Sequence, residues 1–147
     1  MSPSLKSLAI LTLALACAPA AHAADRTVMQ SFQEAVKNAT DAGKLDGSVK
    51  FYLAGAKAPS GKVVEANVVT NRKTNAFGKS DDKSCDWAAQ SALVSLQEAA
   101  KKAGANAVIN IVSYYKKNET RDPAQYECHA GAVIAGVALK GDLAIVK

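Results

Sequence analysis

Six residues of this chain have types and spacings that could support chemistry: Asp81, Asp82, Asp86, Cys85, Cys128 and His129. A zinc-type centre needs clustered nitrogen and sulfur donors. His129 has only Cys128 beside it, and the other histidine, His22, lies in an N-terminal leader. Asp81, Asp82 and Asp86 could hold a hard cation with help from loop carbonyls, but their spacing fits no calcium loop, which also closes on a glutamate. They read as a solubilising loop and a helix cap, and His129 as a surface or packed residue. Ser-His-Asp chemistry has nothing to work with when a lone histidine sits on an alternating strand. The run Gly55-Ala56-Lys57-Ala58-Pro59-Ser60-Gly61-Lys62 looks superficially like a phosphate loop. It places Val63 where the magnesium-binding hydroxyl belongs and leads into a strand where a helix N-terminus is needed. Nucleotide hydrolysis, and with it an ATPase or excinuclease role, is not expected on those residues. No cofactor is expected, and the chain reads as no enzyme.

The start of the sequence bears on how the cysteines are read. Residues Met1 to Ala23 have the pattern of a secretory signal: Lys6, an apolar run from Leu8 to Ala16, and the small-x-small site Ala21-His22-Ala23, with cleavage expected after Ala23. Lipidation at Cys17 is the competing reading, weakened because Ala14 stands where the lipobox wants leucine. Export to the periplasm or beyond would leave Cys85 and Cys128 in a compartment where disulfides persist. One bridge between them is the simplest inference; it would close a loop of about 42 residues and contribute roughly 4 kcal/mol in the chain-entropy model. Two buried thiols or a redox pair are the alternatives, the latter without the usual C-x-x-C spacing.

The whole sequence of 147 residues carries a formal charge of +5. Losing Lys6 with the leader leaves about +4, spread along one domain of about 124 residues. A nucleic-acid footprint would gather cations among stacking aromatics, and here aromatics are few. Neither nucleic acid nor nucleotide is an expected partner.

The elements that would position these residues follow from periodicity. Ala88, Ala89, Ala92, Leu93, Leu96, Ala99, Ala100 and Ala103 mark one stripe of a central helix, with Ser84 as N-cap, Trp87 as a core anchor and Gly104 as its stop. Gln90, Ser95, Gln97, Lys101 and Lys102 fall on the opposite face. Val108 to Tyr115 is β-branched and aromatic, a strand. Val28, Met29, Phe32, Val36 and Ala39 suggest an N-terminal helix over Thr27 to Ala42. Val49, Phe51 and Leu53 alternate as a strand that would pair in a hairpin with Lys62 to Thr70. Asn71 to Lys83 is polar and reads as a long loop, where function tends to sit. Tyr126 to Leu139 and Leu143 to Val146 would form a closing hairpin through a turn at Gly141-Asp142. The expected fold class is α+β: one small, mainly antiparallel sheet with the central helix on one face, and an N-terminal helix within residues 24–44.

Lys83-Ser84-Cys85, the helix, Ala105-Asn106-Ala107-Val108 and the run Tyr126-Glu127-Cys128 through Gly136-Val137-Ala138-Leu139 resemble the signalling domain of the outer-membrane lipoprotein of the Rcs phosphorelay. The likeness covers roughly Gly78 to Lys140. The same helix, turn and glycine-containing last strand resemble the YbjQ-like heavy-metal-binding family, which assembles as pentamers. The first resemblance implies a bridge between Cys85 and Cys128. Its second bridge has no counterpart, since Ile134 stands at the last-strand position and Val112 to Tyr126 holds no cysteine. The second resemblance implies an oligomer but transfers no metal ligand. The expected role is therefore a non-catalytic envelope protein that binds or senses another component, with a small-molecule or metal-binding homo-oligomer as the alternative.

Overall fold

The computed structural model describes residues 25–147; the expected leader, its expected cleavage site and Cys17 lie outside the described residues. The fold is α+β, a curled mixed sheet carrying two helices. Its elements in chain order are β1 (Arg26–Ser31), α1 (Phe32–Asp41), β2 (Lys50–Leu53), β3 (Gly61–Asn75), α2 (Asp81–Lys102), β4 (Ala107–Ser113), β5 (Gln125–Ala130) and β6 (Ile134–Val146).

The long strand β6 organises the sheet. Along one side it pairs with β3 over nearly its full length, from Asn75 opposite Ile134 to Gly61 opposite Val146. Along the other side it is shared: β5 takes its start, with His129 opposite Gly136, and β4 takes its second half, with Ala107 opposite Ala144. β1 then adds to β5 antiparallel, and β2 adds to β4 in parallel. The expected hairpin between β2 and β3 is therefore absent, and the sheet is mixed. The two strands lie on opposite sides of β6.

Two further expectations are corrected here. Residues 26–31 form a strand, not the first turns of a helix, because they register on β5 with Val28 opposite Cys128. The helix starts only where Ser31 caps it, accepting the Glu34 N–H at 3.3 Å. Gly141-Asp142 is no turn; it lies inside β6. A Cβ on Gly141 would come within 2.9 Å of Val108 Cγ1 and 3.0 Å of Ile111 Cγ1, so the strand needs glycine there for close packing, not for reversal. Beside it, β3 and β4 both bulge. Asn67 and Asn110 take left-handed conformations with φ of 58° and 53°. Asp142 binds both bulges, accepting from the Asn67 backbone N–H at 2.9 Å and from Asn110 Nδ2 at 3.0 Å.

The helix α2 begins four residues earlier than expected, with Ser80 in place of Ser84 as N-cap, accepting the Lys83 N–H at 3.2 Å. Asp81 and Asp82 sit in the first turn and Lys101 and Lys102 in the last, as the helix dipole favours. Ser84 is fully buried inside the helix, its hydroxyl donating back to the Ser80 carbonyl at 3.0 Å. Gly104, at φ 72°, stops the helix, and the Ala105 N–H reaches the Ala100 carbonyl at 2.8 Å. The alanine stripe packs on the sheet with Leu93 and Leu96, and Val108, Ile111, Val137, Leu139 and Leu143 complete the core. Gln90 and Gln97, expected on the solvent face, are buried because the chain from α1 to β2 crosses there: Gln90 Oε1 accepts from Lys44 Nζ at 2.7 Å and Gln97 Oε1 from the Asp46 N–H at 3.0 Å. Trp87 is no core anchor; it is exposed, with the ammonium groups of Lys79 and Lys83 over its ring at 5.4 and 5.2 Å.

Candidate functional site

The expected long loop shrinks to 76–80, because β3 runs on to Asn75 and α2 starts at Asp81. That places the three aspartates on the first turns of α2, against β1 and α1. Asp81 accepts from Nη2 and Nε of Arg26, at 2.7 and 2.9 Å, and the guanidinium holds its carboxyl below the usual carboxylate range. Asp82 accepts from Gln30 Nε2 at 2.9 Å. Asp86 accepts from Asn38 Nδ2 at 3.2 Å and Gln90 Nε2 at 2.7 Å. The carboxylates thus stitch α2 to its neighbours around a polar cleft of ≈ 470 Å³. Tyr126 lies beneath it, donating to Gln30 Oε1 at 2.7 Å. Burial, followed by the charges of Asp86, Asp82 and Glu34, raises its phenol well above the ordinary tyrosine range.

His129 stands apart from these aspartates. On β5 it bonds to Glu127 and stacks under Tyr115 with ring centroids 3.3 Å apart. Glu127 is itself held by the Thr120 hydroxyl at 2.9 Å. Among the described residues no three His, Cys, Asp or Glu side chains gather as metal donors. Cys85 and Cys128 are joined in a disulfide linking α2 to β5, both fully buried. Their sulfur atoms are thus held in the core, outside the lining of the polar cleft.

The other flank of α1 is different in kind. β2 pairs only with β4, and its free edge faces α1 across a groove of ≈ 790 Å³, which continues past Phe51 and Tyr52 into a further ≈ 410 Å³. Phe32, Val36 and Phe51 give it an apolar floor. α1 is held off β2 because it leans on α2 and β5. Lys50 and Lys57 stand at the β2 side of the rim, while Lys37, also on the rim, is engaged by Asp41. A concave apolar surface with a few charged groups at its edge is the usual form of a binding site. Periodicity missed this site for a specific reason: Phe32, Val36 and Phe51 read individually as core residues, and only the pairing of β2 with β4 leaves a gap between them. Their alternation carries no trace of that partner choice.

Comparison with family models, with curated proteins and with solved structures gives no match to this chain. No helix among the described residues is long and apolar enough to cross a membrane.

Proposed function

We propose that this chain is an exported, non-catalytic interaction module that holds another envelope component in the groove between α1 and the free edge of β2. The groove is the observation that carries this reading. It combines an apolar floor continuous with the core, an unpaired strand edge and two lysines at the rim. Export is supported by the leader pattern of Met1 to Ala23 and by the Cys85–Cys128 bridge, which fits an oxidising, periplasmic or secreted setting. The resemblance to the Rcs-type signalling domain points the same way. The metal-binding alternative draws on Asp81, Asp82 and Asp86, whose oxygens are engaged by Arg26, Gln30, Asn38 and Gln90.

The dye 1-anilinonaphthalene-8-sulfonate, an apolar anion, tests the reading. Saturable binding at one site per chain is expected, weakened about tenfold by Val36→Glu, a half-buried position on the groove floor. The variant should melt as a folded protein, so that loss of binding is not loss of structure. Absence of binding, or binding that Val36→Glu leaves unchanged, would remove the groove from the proposal.

A further inference from the structure

The backbone of β2 says more about the occupant. The Lys50 N–H donates to the Asn106 carbonyl at 3.0 Å and the Ala54 N–H to the Ile111 carbonyl at 2.8 Å, so the even-numbered residues of this strand address β4. In an extended strand the alternate residues turn their amides the other way. The Phe51 N–H and C=O therefore face the groove. Side chains alternate with the same period. Val49 and Leu53 are buried and Phe51 packs on the core cluster, so odd positions face the core, where α1 lies. Lys50 is exposed and Tyr52 half-buried, so even positions face outward.

A strand laid beside β2 would meet this pattern residue by residue. Its inward side chains would fall between Phe51 and the α1 residues Phe32 and Val36, an apolar slot. Its outward side chains would stand next to Lys50 and, further along, Lys57, for which the structure gives no carboxylate partner among the described residues. Glu34, the one acidic residue lining this groove, sits at the lip that α1 shares with the polar cleft, on the side away from β2. The charge beside the open edge is thus positive.

Resting on the groove reading above, we infer that the occupant is an extended peptide segment of alternating apolar and acidic residues, which joins the sheet as a new strand beside β2 through the Phe51 amide. Main-chain hydrogen bonds would supply affinity, and the alternation of slot and lysine would supply selectivity. The β3 edge on the other side of β6 invites such pairing less. It is interrupted by the bulge at Asn67 and carries Arg72 and Lys73, the devices by which edges are kept from pairing.

The test uses the oxidised chain and an acetylated, amidated octapeptide of alternating valine and glutamate, read by backbone amide shifts and exchange. Protection of the Phe51 amide is expected, with binding about tenfold weaker when lysine replaces glutamate in the peptide. Lys50→Glu, an exposed substitution that leaves the core intact, should reverse that preference. N-methylation of alternate peptide amides should abolish binding. If the octapeptide fails while palmitate or the naphthalene dye still shifts Val36 and Phe51, strand addition is wrong and the groove reading stands. If Phe51 becomes protected in the protein alone as its concentration rises, the occupant is a second copy and the inference is overturned. Equal binding of the glutamate and lysine peptides overturns it as well.

Discussion

Cys85 in α2 and Cys128 in β5 stand with their Cα atoms 5.8 Å apart, joined across the middle of the core. The bridge fastens the helix to the branch of the sheet formed by β5 and β1, which meets β6 only through His129 and Ala130. That branch carries α1, and α1 forms one wall of the groove. The disulfide therefore holds the groove as well as the fold. Reduction, or Cys85→Ala with Cys128→Ala, is expected to lower stability by roughly 2 to 5 kcal/mol, measured by urea unfolding. Superimposable unfolding curves for the oxidised and reduced chain would contradict this.

The two bulges depend on one carboxylate. Asp142→Ala removes the acceptor of both Asn67 and Asn110 and should cost about 1 to 3 kcal/mol. Gly141→Ala pushes a methyl into Val108 and Ile111 and should cost about as much again through overpacking. Thermal melts of the two single variants check both figures.

Thr70 offers a change of the opposite sign. Its hydroxyl is buried under α2 and has no hydrogen-bond partner. Thr70→Val keeps the shape and removes the unpaired oxygen, so a stabilisation of about 1 kcal/mol is expected. A destabilised variant would show that the hydroxyl is satisfied in solution.

Tyr126 predicts an alkaline limit. Its phenol is raised in the folded chain above its unfolded value, near 10 for free tyrosine. The unfolded chain therefore loses this proton first. The associated stability is whole below about pH 10 and is lost as pH rises from there towards the folded value, by up to about 1.4 kcal/mol per pH unit. Tyr126→Phe should flatten that fall while costing about 1 kcal/mol at neutral pH for the bond to Gln30. At the acid end the sign is reversed. Arg26 lowers Asp81, so that pair supports the fold above the ordinary carboxylate range and is lost as pH falls below it.

What could be read from the residues was what depends on short-range pattern. The alanine stripe of α2, the stop at Gly104 and the strand after it are local, and the structure has them. The class α+β followed from the order of the periodic elements, and the pairing of Cys85 with Cys128 from the expected export and the Rcs-type resemblance. Partner choice was not. Val28 and Met29 fit a helical stripe until β5 offers them a ladder, and the Ser31-Phe32-Gln33-Glu34 capping signal, visible in the sequence, was the clue to where the helix begins. Val49, Phe51 and Leu53 alternate in the same way whether they pair with β3 or β4. The polar stretch after Thr70 looked like a loop because an edge strand exposes both faces, so Asn71 to Asn75 show no apolar alternation. The acidic trio was visible, but its partners on β1 and α1 were more than forty residues away in sequence.

The most direct measurement places a photo-crosslinking residue at Tyr52, in the groove, in cells producing the full chain, with the same residue at exposed Asn71 on β3 as control. Discrete adducts are predicted in the exported fraction from position 52, absent from position 71 and lost when Val36→Glu is combined with the probe. Adducts equally from both positions, or from position 71 alone, would contradict a binding role for the groove between α1 and β2.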